Sequence, residues 1–118
     1  MKAPFETLRV WQAAQDLAVE VYRVTKRFPV DERFGLTSQL RRAATSVTAN
    51  LAEGNARRFR REYGQACYIA RGSIAEIRSL LNLCVRLGYL PAADEHRLSA
   101  GYDVVGGMLY PLIERLRV

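Results

Sequence analysis

Four arginines crowd one short run, Arg57-Arg58-Phe59-Arg60-Arg61. Guanidinium forks bind phosphate and carboxylate oxygens in pairs, so such a run fits a polyanion or the acidic face of another chain. Phe59 divides the two pairs and Tyr63 follows one helical turn later, an interleaving able to stack bases. The run precedes a helical pattern, and cations at a helix N-terminus are disfavoured by about 0.3–1 kcal/mol each. Residues placed against their own stability call for a partner, and RNA or DNA is the leading candidate. A solvated basic face or an intersubunit salt-bridge set is the competing reading.

Other chemistry-bearing residues are sparser. Asn50 and Glu53 stand in Asn50-Leu-Ala-Glu-Gly54, at the edge of an apolar stripe. Asn50 reads best as a buried amide held by a neighbouring helix and setting register, with a ligand contact as the alternative. Glu53 falls at an expected helix C-terminus, where a carboxylate needs a cation; Arg41, Arg42, Arg57 and Arg58 are within sequence reach. His96 is the single histidine and follows Asp94 and Glu95, but adjacent helical residues do not face one another. Ser38, Ser46 and Ser73 have no evident base, and neither a glycine-rich phosphate loop nor a metal-ligand spacing occurs. The sequence therefore predicts no enzyme, no cofactor and no metal.

These residues are positioned by four helical patterns, at about 5–28, 33–54, 58–87 and 92–116. In the first, Leu8, Trp11, Ala14, Leu17, Val21, Val24 and Phe28 recur at three-to-four spacing before Pro29. Asp31 is a plausible N-cap for the second, whose stripe is Leu36, Leu40, Ala43, Val47 and Leu51, with Gly54 or Asn55 as its left-handed stop. The third uses Tyr63, Ala66 with Cys67, Ala70, Ser73 with Ile74, Ile77, Leu80 with Leu81, Cys84 and Leu87 and stops at Gly88, with Gly64 and Gly72 as points of close helix approach. The fourth uses Leu98, Tyr102, Val105, Met108 with Leu109, Leu112 with Ile113, and Leu116, with a kink expected near Gly107 to Pro111. Short connections between amphipathic helices predict one all-α domain, an antiparallel up-down-up-down four-helix bundle over 1–118.

Composition narrows the class further. Of 18 basic residues only Lys2 and Lys26 are lysine, and the net charge is +6. Guanidinium forks for phosphate are one reading of that bias, and the codon usage of a high-GC genome is the other. Cys67 and Cys84 lie within apolar patterns and fit buried thiols in a reducing cytosol. Neither a signal core nor a membrane-length apolar run is seen, which predicts a cytoplasmic protein with no membrane partner. Val10, Val19, Tyr22, Ile69, Leu83 and Val85 lie beside the main stripes, a surplus that points to self-association.

Seven blocks in order carry a family resemblance: Phe5-Glu-Thr-Leu-Arg-Val-Trp-Gln12, Val21-Tyr22, Phe28-Pro29, Gly35-Leu36, Gln39-Leu-Arg-Arg-Ala-Ala44, Asn50-Leu-Ala-Glu-Gly54 and Ala70-Arg-Gly-Ser73. The chain resembles bacterial four-helix-bundle proteins first noticed as reading frames within intervening sequences of large-subunit ribosomal RNA genes. The resemblance thins after Pro91. That family is similar in fold to the accessory proteins of diversity-generating retroelements, which are homopentamers that bind nucleic acid and a reverse transcriptase. The resemblance thus implies a homopentamer, a nucleic-acid role and a nucleic-acid-processing protein as partner. Five subunits at +6 each would carry +30, a strong attractor of polyanions at low salt. Arg41, Arg42, Asn50, Glu53 and Gly54 carry over as the motif, without assigned chemistry. The chain departs in its Arg-Arg-Phe-Arg-Arg run, where relatives commonly mix Arg, Ser and Lys.

The expectation is a non-enzymatic, homo-oligomeric bundle binding RNA or DNA through Arg41, Arg42, Arg57, Arg58, Arg60 and Arg61. The alternative is a protein-interaction scaffold whose arginines pair with carboxylates across subunits.

Overall fold

The computed structural model describes residues 2–117, which form an all-α four-helix bundle of 44 × 26 × 20 Å. Its helices are α1 (Arg9–Thr25), α2 (Leu36–Ala56), α3 (Arg60–Arg86) and α4 (Ala92–Leu116). A 27-residue helix such as α3 spans about 40 Å, which accounts for the long dimension. Cross-helix contacts fix the neighbours. Ser73 Oγ donates to Ser46 Oγ at 3.0 Å and Asn55 Nδ2 to the Tyr63 hydroxyl at 3.4 Å, so α3 runs back along α2. Arg78 reaches Asp103 at 3.4 Å and the Arg60 guanidinium reaches the Arg115 carbonyl, which sets α4 antiparallel to α3. Arg97–Glu20 joins α4 to α1, and Arg27–Asp94 joins α4 to the turn that follows α1.

The core is the one the apolar spacing implies. Val21, Leu40, Val47, Leu51, Ile77, Leu81, Leu98, Val105 and Leu109 are fully buried, each contributing about 1.5–3 kcal/mol. Ala43 and Ala44 on α2 and Ala70 on α3 are buried with them, and their small side chains let the α2–α3 pair make the most extensive contact in the bundle. Val10 and Val85, expected as surplus apolar surface, instead pack with the core. Leu87 corrects the stripe in the other direction, since it is exposed at the end of α3.

Helix ends differ from expectation in physically informative ways. The first helix begins at Arg9 rather than Phe5, because Pro4–Thr7 forms a separate 3₁₀ turn. That turn folds the Phe5 ring edge-on against Trp11 at 5.0 Å, and Gln12 Nε2 donates to the Glu6 carbonyl at 2.8 Å. At the other end the helix stops at Thr25, and Phe28 is buried from a turn. For α2, Glu32 rather than Asp31 meets the first orphan amide: Leu36 N–H donates to Glu32 Oε1 at 3.0 Å.

Gly54 corrects the sequence reading most sharply. It is neither left-handed nor a stop, since α2 continues to Ala56 and Gly88 is the one glycine with positive φ among the described residues. A Cβ at Gly54 would lie 2.7 Å from Ala66 Cβ and 3.0 Å from Tyr63 Cδ1, so α3 passes too close to Gly54 to leave room for a side chain. Gly64 and Gly72, expected in that role, do not hold it: a Cβ at Gly64 meets only Leu116 at 3.8 Å, and one at Gly72 meets nothing within 4 Å. Gly101 instead leaves room for the Leu17 side chain, whose Cδ2 a Cβ there would meet at 2.5 Å. Gly88, at φ +80°, stops α3 as expected: Tyr89 N–H bonds the Cys84 carbonyl and Gly88 N–H the Val85 carbonyl, the paired bonds of a Schellman motif. In α4 the helix runs without a break through Pro111, which is exposed, to Leu116.

Candidate nucleic-acid interface

The arginine run occupies the junction between α2 and α3. Arg57 caps the end of α2, Arg58 lies between the helices, Phe59 is the N-cap of α3, and Arg60 and Arg61 fill its first turn. All five side chains are exposed. Their partners differ. Arg57 pairs with Glu62 at 3.7 Å, an exposed bridge worth about 0–1 kcal/mol. The Arg60 guanidinium donates to the Arg115 carbonyl in the last turn of α4, so it sits on the negative end of that helix dipole. One of the four therefore has a structural task within the chain. Arg58 and Arg61 form no ion pair among the described residues.

The fold adds members that linear reading missed. Because α4 ends beside the start of α3, Arg117 joins Arg61 on the rim of a cleft of about 480 Å³, floored by Gly64, Ile113 and Leu116 and walled by Tyr68. The signal available in the sequence was Arg115 and Arg117 at the end of the fourth pattern, which antiparallel packing returns to the third helix's start. Tyr68 replaces Tyr63 as the second exposed ring. Tyr63 is half-buried over Gly54 with its hydroxyl accepting from Asn55, and its pKa is raised chiefly by burial.

Exposed aromatics and arginines recur together. Arg58 lies over the Phe59 ring at 5.5 Å, Arg71 over Tyr68 at 4.9 Å, Arg41 over Tyr22 at 4.5 Å and Arg33 over Phe34 at 5.3 Å. Each pair presents a π surface beside a fixed cation, the combination that single-stranded nucleic acid engages.

The remaining predicted residues separate from this site. Arg41 and Arg42 lie in the first half of α2, about 20 Å along the helix from its arginine-rich end. Arg41 is half-buried: its Nε donates to Thr25 Oγ1 at 2.8 Å and Nη2 to the Tyr22 carbonyl at 3.3 Å, pinning α2 to the end of α1. Arg42 is exposed. Asn50 is half-buried and satisfied by its own helix rather than a neighbour, donating to the Ser46 carbonyl at 2.8 Å and lying 3.2 Å from Ser46 Oγ. Ser73 then bonds Ser46 from α3, so the amide couples the helices through a hydroxyl relay. Glu53 is exposed, and the nearby Arg57 turns to Glu62 instead.

His96 is exposed and lines an open α3–α4 cleft of about 600 Å³ with Arg78, Glu95 and Asp103. Asp103 is taken up by Arg78, and His96 makes no hydrogen bond to any nucleophile or orienting carboxylate among the described residues. Cys67 and Cys84 are free, fully buried thiols. Among the described residues no cluster of His, Cys, Asp and Glu could hold a metal ion, and no helix is long and apolar enough to cross a membrane.

Comparisons with known proteins agree with this architecture. A crystal structure of a protein of unknown function from the S23 ribosomal protein family of Bacteroides thetaiotaomicron superposes with a TM-score of 0.79. It is 20% identical, and the match covers 88% of this chain and 97% of that one, a likeness of fold. No curated protein matches. The sequence model of the 23S rRNA-intervening sequence protein family matches residues 6–111, reaching well into α4 beyond the blocks recognised before Pro91. The chain belongs to the 23S rRNA-intervening sequence protein family.

Proposed function

We propose that this chain is a non-enzymatic, homo-oligomeric helical bundle that binds RNA or DNA through its arginine-rich α2–α3 junction. The observation that carries the reading is that Arg58 and Arg61 are exposed, without an acidic partner among the described residues, and flanked by the exposed rings of Phe59 and Tyr68. Filter binding of single-stranded RNA and DNA at about 50 and about 200 mM salt tests it, since counterion release makes such contacts salt-sensitive. The Arg58→Gln/Arg61→Gln pair is expected to lower affinity roughly tenfold and to reduce the salt slope by about 1 per arginine. Undetectable binding at both salts, or unchanged affinity in the double variant, rejects the reading. A loss of assembly in native mass spectrometry, with no change in nucleic-acid affinity, supports intersubunit salt bridges instead.

Self-association is supported by one face of α3. Ile69, Gly72, Glu76, Leu80, Leu83 and Leu87 follow three-to-four spacing; Ile69, Leu83 and Leu87 are 43–55% exposed. Gly72 has no reason within the chain, because a Cβ there would meet open space. Close approach of a second copy supplies one. The family resemblance makes a pentamer the assembly to test. Gly72→Ala is expected to stabilise the isolated helix by about 1 kcal/mol while weakening assembly. Urea denaturation and native mass spectrometry measure the two effects; an intact oligomer in this variant removes Gly72 from the interface.

A further inference from the structure

A third cleft, of about 400 Å³, opens where the connection after α1 enters α2. Arg33, Phe34, Arg41 and Arg42 line it with Tyr22, and no carboxylate does. Glu32, the nearest acidic residue to the connection's end, is engaged elsewhere: one oxygen accepts Leu36 N–H and the other the Tyr89 hydroxyl at 3.2 Å. Arg33 and Arg42 form no ion pair among the described residues. Arg41 is already held by Thr25 and the Tyr22 carbonyl through Nε and Nη2, which leaves Nη1 for another acceptor. Thr37, only 9% exposed, also borders the cleft, and its hydroxyl makes no hydrogen bond among the described residues. Thr45 on the same wall is spent on its own helix, donating toward the Arg41 and Arg42 carbonyls.

Three guanidinium groups around one small cleft repel one another unless an anion lies between them. A rigid, pre-positioned guanidinium such as Arg41 suits phosphate oxygens, which accept from several forks at once. Phe34 adds a different chemistry. It is 88% exposed, with Arg33 over the ring at 5.3 Å, an unusual position for a large apolar side chain in a turn. A flat aromatic partner would cover that ring.

We propose that this cleft binds a nucleotide unit, its phosphate among Arg33, Arg41 and Arg42 and its base against Phe34. The inference rests on the nucleic-acid reading for a polymer as the source of that unit, and not for the chemistry of the cleft. The shared chemistry admits a free mononucleotide or one nucleotide of a single strand, and the test separates them.

Amide chemical shifts of the ¹⁵N-labelled protein, titrated with inorganic phosphate, 5′-AMP and a short oligothymidylate, provide the readout. Expected is a set of AMP-dependent shifts concentrated on residues 33–45, with inorganic phosphate producing the same pattern more weakly. Arg42→Gln is expected to weaken both ligands about tenfold. Phe34→Ala is expected to weaken AMP about tenfold while leaving phosphate unchanged, the mark of base stacking. Both residues are exposed, so both variants keep the core intact. Oligothymidylate that displaces AMP assigns the cleft to a polymer; oligothymidylate that leaves AMP in place assigns it to the free nucleotide. Shifts spread evenly over all arginines, or wild-type AMP affinity in both variants, overturn the proposal. Failure of the α2–α3 junction is seen separately, as oligonucleotide affinity unaffected by Arg58→Gln/Arg61→Gln while AMP still binds at residues 33–45.

Discussion

Gly54→Ala is expected to destabilise the bundle by about 1–3 kcal/mol, the cost of overpacking a tight helix crossing. The sign runs against helix propensity, which alone would favour alanine by about 1 kcal/mol. The backbone at Gly54 is helical and imposes no strain on an L side chain. What opposes the methyl is its neighbour. A Cβ there comes 2.7 Å from Ala66 Cβ, an atom fixed to its own helix with no torsion to swing it away, and 3.0 Å from Tyr63 Cδ1. The α2 and α3 axes must separate to admit it, loosening the most extensive helix pair in the fold. Gly54→Leu is expected to be worse, and Gly72→Ala, whose Cβ meets nothing within 4 Å inside the chain, to raise the urea midpoint of the dissociated subunit. Equal effects at Gly54 and Gly72 would show that propensity, not crossing distance, governs both.

That contrast also shows what the sequence could and could not reveal. The apolar period placed the core correctly because burial depends on which face a residue occupies, and Leu40, Val47, Leu51, Ile77 and Leu81 announce their face by spacing alone. Glycines announce nothing about their neighbours. Gly54 reads as a terminus because glycine suits a left-handed stop after the apolar stripe, yet its role depends on Ala66 and Tyr63 in another helix. The arginine run was legible as a feature, but not its internal division. Arg60 has an intramolecular acceptor only because α4 returns its C-terminus to α3, and that proximity is created by packing. The same packing turns Arg117 into a neighbour of Arg61, whereas Tyr68 follows Arg61 by two turns of the same helix. Arg41 and Arg42 belong to one sequence motif with Asn50 and Gly54, but their distance from the α2–α3 junction makes them parts of a different surface.

Alkaline pH is expected to unfold this protein through its buried acids. Cys67 and Cys84 are fully buried, and burial pushes both thiols up to about 11 from an ordinary 9.0, with the Glu32 carboxylate adding to the effect at Cys84. Burial raises the Tyr102 phenol as well; its hydroxyl is enclosed without a hydrogen-bond partner. A raised pKa in the folded state means the folded chain keeps protons that the unfolded chain releases. Stability is therefore level below about pH 9, falls between about 9 and 11, and loses at most about 5 kcal/mol from the two thiols together. Tyr102 adds to the loss from about pH 10 upward, where free tyrosine ionises. The Tyr63 and Tyr89 phenols, raised chiefly by burial, add to it over the same range. Urea midpoints measured under reducing conditions at about pH 8, 9, 10 and 11 should trace the fall. The Cys67→Ala/Cys84→Ala variant, less stable at neutral pH for want of two buried sulfurs, should nonetheless show a flat profile to about pH 10. Tyr102→Phe should do the reverse: it gains about 1 kcal/mol at neutral pH by removing an unsatisfied hydroxyl, and retains the slope that begins near pH 9. A profile unchanged in the double cysteine variant would place the alkaline transition elsewhere in the molecule.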